Sequence, residues 1–281
     1  MNYGRIHFEG TPSAGFFSNY FGVMSTMLDL HHNHKLFPYV DNSNTWWNPT
    51  FNFETLTAED LNINPWDWWF QQDKPLNIKE CPNIKVNYSN ISHVPNQFHQ
   101  NPSLPYAREM DLKYCKLQSH ITLEINTLFE RYFANKNILG VMARGTEMLK
   151  FHKEYPKVNS NVWGHIIKDF LNDHPDIDNI FLVTDDNEIL SNILKHHPQT
   201  IYLKDFFRKT TQTNEEINNK YKPWWLTSPS NDPNHRKRLG EECIIQAKLL
   251  SKCQSLLGTY SGFTNAAQFF NHSGFKSFYL I

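Results

Sequence analysis

Residues 138–150, ILGVMARGTEMLK, combine a buried-strand pattern with side chains that can bind an anion. The apolar run at 138–142 predicts a short buried strand, which breaks into Ala143, Arg144, Gly145, Thr146 and Glu147. The guanidinium of Arg144 can donate two parallel hydrogen bonds to a phosphate, and Gly145 would let the backbone approach a ligand closely. Such groups at the end of a buried strand are typical of ligand sites in open α/β sheets. An ordinary surface ion pair of Arg144 is the alternative.

A second polar stretch follows the apolar run at 179–183, which also predicts a buried strand. Thr184, Asp185 and Asp186 come directly after it. The two aspartates could bind a metal through a nucleotide diphosphate, hydrogen-bond a ligand hydroxyl, or cap the following helix. Capping is the more frequent use of Asp at such a position, and we favour it for at least one of them.

A third stretch joins a predicted strand at 255–260 to a predicted helix, and it consists of Ser261, Gly262, Phe263 and Thr264. Small hydroxyl residues at a strand-to-helix turn offer backbone N–H groups beside the positive end of the helix dipole. This turn is therefore a candidate phosphate site.

The secondary-structure elements that must position these groups are predicted to be alternating strands and helices. In the first half, Phe21, Met24, Met27 and Leu28 predict a helix between strands at 5–8 and 35–41, as in a doubly wound α/β unit. No GxGxxG dinucleotide motif is present. The remaining predictions are one long helix at about 105–134, helices at 162–171, 188–196 and from 239, a strand at 200–203, a loop at 208–235 and a final strand at 276–281.

Tryptophan and asparagine are concentrated between about 42 and 108, with the cluster NPWDWWF at 64–70. The cluster could be a hydrophobic plug that anchors a loop, or it could expose a ring such as Trp66 or Trp68 on which a sugar stacks. The two interpretations are compatible. Asp67 within the cluster and Asp41 at the end of a predicted strand are the nearby carboxylates.

Composition excludes several classes of protein. A length of 281 residues allows one large domain or two ordinary ones, and a net charge of −1 provides no overall field for nucleic acid. No apolar run approaches the roughly 20 residues of a membrane span, and the first residues do not form a secretory signal. The four cysteines form no CxxC pair, which favours reduced thiols and a cytoplasmic location.

The three polar stretches, in this order, resemble the GDP-fucose-dependent fucosyltransferase superfamily, which includes α-1,6-fucosyltransferases, nodulation-type enzymes and protein O-fucosyltransferases. ILGVMARGTE is similar to that family's arginine motif, IFLVTDD to its strand ending in T-D-D, and GEECIIQAKLLSKCQSLLGTYSGFTNAA to its last donor-binding segment. SAGFFSN near the N-terminus and NPWDWWF also look like features of nodulation-type relatives.

The resemblance implies an α/β, GT-B-like fold of two facing Rossmann-like domains with parallel sheets. Residues 1–135 would form the mainly acceptor-side domain and residues 136–281 the nucleotide-sugar donor-binding domain. The implied activity is that of an inverting glycosyltransferase that moves a sugar, L-fucose from GDP-fucose, to a hydroxyl of a glycan acceptor. It needs no metal and no cofactor beyond the nucleotide sugar. A non-catalytic carbohydrate-binding protein on a degenerate transferase fold is the alternative.

The same resemblance implies the site residues. Arg144 would stabilise the leaving diphosphate, and Glu147 or His152 would act as the base, with Asp41 or Asp67 as alternatives. The implied donor-binding residues are Gly15, Phe17, Ser18, Arg144, Gly145, Thr146, Thr184, Asp185, Asp186, Glu242, Ser261, Gly262, Phe263 and Thr264. The implied acceptor-binding residues are Asp41, Trp66, Asp67 and Trp68.

Two positions depart from the family pattern. Met142 stands where the family has a histidine that helps to read guanine, and Gln246 stands where it has an acidic residue. Glu242, one turn earlier on the predicted helix, could replace the acidic group. The donor base and the acceptor therefore stay open.

Overall fold

The structure is a computed structural model that describes residues 2–8, 15–49, 51–52, 55, 57–86, 100–144, 160–208 and 234–281. The chain divides into two compact units. The first unit comprises Met1–Thr122 and Asn219–Cys243, and the second comprises Leu123–Asn218 and Ile244–Ile281. This division differs from the predicted single boundary after residue 135, and the roles predicted for the two domains stay predictions.

The helices of the described residues are α1 (Phe16–Asp29), α2 (Trp66–Trp69), α3 (Leu104–Tyr114), α4 (Ser119–Tyr132), α5 (Trp163–Asp173), α6 (Asn187–His196), α7 (His235–Leu250) and α8 (Gly262–Phe270). A π-helical turn at Leu30–His34 extends α1, and 3-10 turns lie at Ile78–Glu80 and Ser160–Val162. The strands are β1 (Tyr3–His7), β2 (Phe37–Asp41), β3 (Phe51–Asn52), β4 (Thr57–Ala58), β5 (Phe70–Gln71), β6 (Asn83–Lys85), β7 (Lys116–Leu117), β8 (Ile138–Met142), β9 (Asn179–Val183), β10 (Ser255–Gly258) and β11 (Ser277–Leu280).

The first unit contains a parallel sheet in the order β2-β1-β6, so the predicted strand-helix-strand start of the chain is confirmed. Helix α1 is buried along most of its length because aromatic side chains surround it. Phe16 makes edge-to-face contacts with Trp47 and Trp69, and the Tyr20 hydroxyl donates to Asp111 of α3. Aromatic packing therefore forms much of this core.

The single helix predicted at 105–134 is wrong, because the chain breaks at Cys115 into α3, β7 and α4. Strand β7 pairs antiparallel with β5, so Leu117 lies in a strand rather than on the apolar face of a helix. The Gln118 amide reinforces the break, since its Nε2 donates to the carbonyls of Asp67 and Phe70. The backbone N–H of Gln118 donates to Trp69 O at 2.9 Å, and Gln71 Nε2 donates to Leu117 O at 2.8 Å. These distant partners satisfy backbone groups that a continuous helix would otherwise satisfy, and they outweigh the local helical periodicity.

The second unit contains a parallel sheet in the order β11-β10-β8-β9. From β8 the chain moves outward to β9 and to a single parallel bridge between Ile201 and Phe181, which is all that forms of the strand predicted at 200–203. It then returns to β10 on the opposite side of β8. The strand order therefore reverses between β8 and β10, and ligands of open α/β sheets bind at the carboxyl ends of strands at such a point.

Strand β8 is buried on both faces, as expected for a central parallel strand. Leu139 and Val141 belong to the hydrophobic cluster that includes Trp163 of α5 and Ile193 of α6. On the other face, a side chain at Gly140 would meet Cys253 and Leu250 at 3.0 and 3.1 Å. The α/β fold class with parallel sheets is therefore confirmed.

Candidate functional site

Three polar stretches follow the adjacent strands β9, β8 and β10 at the same edge of the second unit's sheet. Met142, the last residue of β8, lies opposite Val183 of β9 and Gly258 of β10. Backbone hydrogen bonds continue past the strand ends, from Ala143 N to Val183 O at 3.0 Å and from Thr259 N to Met142 O at 3.1 Å. The described parts of the arginine, aspartate and serine motifs therefore start from one fixed edge, as their strand patterns predict.

Arg144 leaves β8 at this edge with a largely buried side chain, of which 20% is exposed. Its Nε lies 3.5 Å from Oδ2 of Asp185, close enough for an ion pair. The same Nε is shielded from solvent and has no hydrogen-bond acceptor among the described residues. A buried N–H without a hydrogen bond carries a desolvation cost of about 1–3 kcal/mol, which the nearby carboxylate of Asp185 offsets in part. The four N–H groups on the terminal nitrogens are the part of this guanidinium that can donate to an incoming anion.

The two aspartates after β9 have different contacts. Oδ1 of Asp186 accepts from the N–H groups of Glu188 and Ile189 at 2.7 and 3.3 Å, so Asp186 is the N-cap of α6. The predicted capping role is confirmed for this residue. Thr184 is buried, and its hydroxyl oxygen accepts from the N–H of Asp186, which fixes the turn. Asp185 faces Arg144 instead.

Residues 261–264, named the serine turn from here on, form a hydrogen-bonded cap at the start of α8. The Ser261 hydroxyl oxygen accepts from the N–H of Thr264 at 3.1 Å, and the Thr264 hydroxyl donates to Thr259 O at 2.6 Å. Ser261 and Thr264 are buried, whereas Gly262 and Phe263 are partly exposed. The N–H groups of a first helical turn have no intrahelical acceptor and carry a partial positive charge. The turn therefore has the backbone geometry of an anion site.

Gly145, Thr146, Glu147 and His152 lie outside the described residues, so the contacts of these predicted donor and catalytic residues stay predictions.

The predicted donor residues of the first unit lie at the start of α1. Gly15 is the N-cap residue and makes no side-chain cap, Ser18 is partly exposed, and Phe17 is buried, with 3% exposed. Burial favours a packing role for the Phe17 ring. Asn19 beside it was not predicted: it is 5% exposed, and its Oδ1 has no hydrogen-bond partner in the described part of the chain. An asparagine among the aromatic residues that begin α1 was the available sequence signal.

Among the predicted acceptor residues, Trp66 is 2% exposed and stacks on Phe70 and Tyr20, with ring centroids 4.4 and 6.2 Å apart. Its ring therefore packs as part of the plug and offers no face for a sugar to stack on. Trp68 is partly exposed and meets Trp69 edge to face. Of the cluster's two predicted platform rings, only that of Trp68 retains accessible surface.

The two carboxylates of this region are engaged by side chains of the first unit. Asp41 is 8% exposed, and its Oδ2 lies 2.7 and 2.5 Å from Nε and Nη2 of Arg5. Oδ2 of Asp67 lies 2.7 Å from Lys74 Nζ, and this hydrogen bond raises the pKa of Lys74. Burial raises the pKa of Tyr39, and the carboxylates of Asp67 and Asp41 raise it further, against a lowering by its hydrogen bond with Asn64.

Glu242 is buried on α7 within the first unit, and its Oε1 lies 3.3 Å from Arg238 Nε. The neighbouring Glu241 is also buried, and its carboxylate lies 3.0 Å from His120 Nε2. Met142 is buried, and Gln246 is partly exposed on the part of α7 that belongs to the second unit. The predicted replacement of the family's acidic residue by Glu242 stays a prediction.

Within the described residues, no group of three or more His, Cys, Asp or Glu side chains could hold a metal ion. Over the same residues, no helix combines the length and the apolar character that crossing a membrane requires.

No family model and no curated protein matches the sequence. Solved structures do match. A NodZ α-1,6-fucosyltransferase soaked with GDP-fucose is 13% identical with a TM-score of 0.55, over 96% of this chain and 93% of that chain. NodZ from Bradyrhizobium is 12% identical with a TM-score of 0.54, over 95% and 93%. An Arabidopsis thaliana FUT1 variant in complex with GDP is 9% identical with a TM-score of 0.53, over 98% and 70%. The chain therefore has the fold of these fucosyltransferases.

Proposed function

We propose that this protein is an inverting glycosyltransferase that transfers a sugar, L-fucose from GDP-fucose, to a hydroxyl of a glycan acceptor without a metal ion. The acceptor oxygen attacks the anomeric carbon while the bond from that carbon to the β-phosphate oxygen breaks. GDP leaves, and the hydroxyl proton passes to a base.

The observation that carries this proposal is the position of Arg144. It follows the central strand at the point where strand order reverses, and its side chain is largely buried, with 20% exposed. Negative charge grows on the β-phosphate as the sugar leaves, and a preorganised guanidinium stabilises that charge. The N-terminal turn of α8, built by Ser261 and Thr264, starts from the adjacent strand and would hold the same diphosphate.

For the base we propose Glu147 or His152, which follow Arg144 in the chain. The first-unit alternatives are less suited to receive a proton from an acceptor. Asp41 binds Arg5 through Oδ2 and the N–H of Ser43 through Oδ1. Asp67 contacts Lys74 through one oxygen and Gln72 through the other.

GDP-fucose is the donor proposed because two of the three similar structures described above contain GDP-fucose or GDP. At 9–14% identity the likeness concerns the fold alone, so the guanine base and the fucose of the donor are part of our proposal. A non-catalytic carbohydrate-binding protein is the competing function, and the burial of Trp66 removes one of the rings that motivated it.

Calorimetric titration with GDP, UDP, CDP and ADP, first with EDTA and then with magnesium, tests the proposal. We expect binding of GDP that EDTA does not change, followed by transfer from GDP-fucose to members of a glycan acceptor panel. Preference for another base would replace the donor and keep the transfer chemistry. Glycan binding without affinity for any nucleotide would favour the carbohydrate-binding protein.

Arg144→Ala tests the leaving-group role, with Arg131→Ala as a control that removes the same charge from the exposed surface of α4. Loss of one preorganised donor in other enzymes lowers kcat by roughly 10²–10³, and we expect a loss of that order for Arg144→Ala only. Turnover within roughly tenfold of wild type, or about 1.4 kcal/mol, would show that Arg144 does not stabilise the leaving group.

A further inference from the structure

Asp185 and Asp186 are adjacent, yet the structure gives them different partners. Both oxygens of a carboxylate can accept hydrogen bonds, and Oδ1 of Asp186 already accepts two from the first turn of α6. Asp185 is not part of this cap. Its Oδ2 lies 3.5 Å from Nε of Arg144, across the edge where β9 and β8 end.

The side of the guanidinium that Asp185 faces is informative. A guanidinium presents five N–H donors, one on Nε and four on the two terminal nitrogens. The carboxylate of Asp185 approaches the Nε side, so the terminal fork is the part that can donate two parallel bonds to a phosphate. The two side chains are 20% and 30% exposed, so the pair is accessible to an anionic ligand.

We propose that Asp185 is a positioning residue that acts through Arg144: it holds the Nε side of the guanidinium and leaves the terminal fork directed to the donor diphosphate. This proposal rests on the proposed function for the identity of the ligand. It differs from the role implied by family resemblance, in which Asp185 contacts the donor.

Two opposing effects decide whether a substitution that removes Asp185 strengthens or weakens binding of the anionic ligand. The negative charge of Asp185 repels an anionic ligand, but this repulsion is screened because the pair is partly exposed. Without Asp185, the long arginine side chain would lose rotamer freedom on binding the ligand, and this entropic cost is among the largest of any side chain. We expect the second effect to be the larger, so removal of Asp185 should weaken binding.

A first experiment needs no ligand. The Nε–H resonance of Arg144, assigned with an Arg144→Lys variant, is followed by ¹⁵N NMR in the wild-type protein, Asp185→Ala and Asp169→Ala. Asp169 is an exposed residue of α5, so its substitution removes the same charge elsewhere in the second unit. We expect exchange of this proton with water to be at least threefold faster in Asp185→Ala only. Unchanged exchange in Asp185→Ala would overturn the proposal.

A second experiment is a double-mutant cycle of Asp185→Ala and Arg144→Met, with NMR titrations of GDP and of pyrophosphate up to millimolar concentration. We expect Asp185→Ala to weaken binding three- to tenfold in the wild-type background and less than twofold in the Arg144→Met background. Asp185→Asn, which retains an oxygen toward Nε, should restore affinity to within threefold of wild type.

The outcomes separate this proposal from the proposed function. An equal loss in both backgrounds would mean that Asp185 contacts the ligand itself, which overturns the positioning role and leaves the transferase proposal standing. If the wild-type protein binds neither probe, the transferase proposal fails, and the exchange measurement alone decides whether Asp185 holds Arg144.

Discussion

Gly240 of α7 offers a substitution for which packing and helix propensity predict opposite signs. A β-carbon at this position would lie 2.3 Å from Cε2 and Cζ2 of Trp69 and 2.5 Å from its Nε1. The Trp69 ring is 1% exposed, contacts Phe16 and Trp47 edge to face, and donates a hydrogen bond to Lys237 O at 3.0 Å. The ring therefore has no space into which it can move.

The expected change in the free energy of unfolding of Gly240→Ala follows from three effects. Replacing a helical glycine by alanine gains about 1 kcal/mol of helix propensity. Overpacking against a fixed core side chain costs about 1–3 kcal/mol. Loss of the indole hydrogen bond to Lys237 adds about 1 kcal/mol. Gly240→Ala should therefore lower the free energy of unfolding by about 1–3 kcal/mol, although helix propensity alone predicts an increase in that free energy.

Gly164 of α5 is the matched control. A β-carbon there would lie 2.5 Å from the His196 ring, but His196 is exposed and its ring can rotate away. Gly164→Ala should change stability by less than about 1 kcal/mol. Urea unfolding of both variants, followed by tryptophan fluorescence and circular dichroism, measures the difference. A Gly240→Ala protein as stable as the wild type would contradict the packing of Trp69 against α7.

Three further predictions concern the cap, the serine turn and pH. Asp186→Ala should lower stability by about 1 kcal/mol in thermal unfolding and Asp186→Asn by a few tenths, since asparagine also caps well; equal losses would argue against the cap. Ser261→Ala should weaken GDP binding three- to tenfold in calorimetry, while Ser261→Thr should bind GDP about as tightly as the wild type. Unchanged affinity in Ser261→Ala would mean that the hydroxyl stabilises the fold and does not contribute to GDP binding. Because Asp67 raises the pKa of Lys74 above 10.5, the pair stabilises the protein below that pH and its contribution is lost as pH rises through the raised pKa. The stability advantage over Lys74→Met, below about 1 kcal/mol for this exposed pair, should therefore shrink in urea unfolding between pH 8 and 11.5, and a constant difference would contradict this.

Where the structure agrees with the sequence, the signal was local. The runs ILGVM and IFLV are apolar throughout because central parallel strands are covered on both faces, and each is followed by polar residues because the chain there leaves the sheet. A helix cap by at least one of Asp185 and Asp186 was also predicted, since a cap depends only on the N–H groups of the next turn, and the structure assigns it to Asp186. The placement of three motifs at one edge followed from the parallel strands alone.

Where it disagrees, the cause lies in distant partners. The helix expected at 105–134 breaks because β5, far away in sequence, pairs with β7. Trp66 packs on Tyr20 and Phe70 instead of facing solvent, and nothing within NPWDWWF distinguishes it from Trp68, which is partly exposed. Composition gives the number of aromatic rings, but only the fold decides which of them keep an accessible face.

The sequence by itself determined the alternation of strands and helices, the strand-end positions of Arg144, Asp185 and Ser261, and a helix cap by one of the two aspartates, because these depend on residues a few positions apart. The tertiary structure decided the reversal of strand order between β8 and β10, the pairing of Arg144 with Asp185, and the burial of Asn19. These depend on which strands become neighbours and which side chains then lose water. That information resides in contacts between distant parts of the chain, and no local pattern of residues contains it.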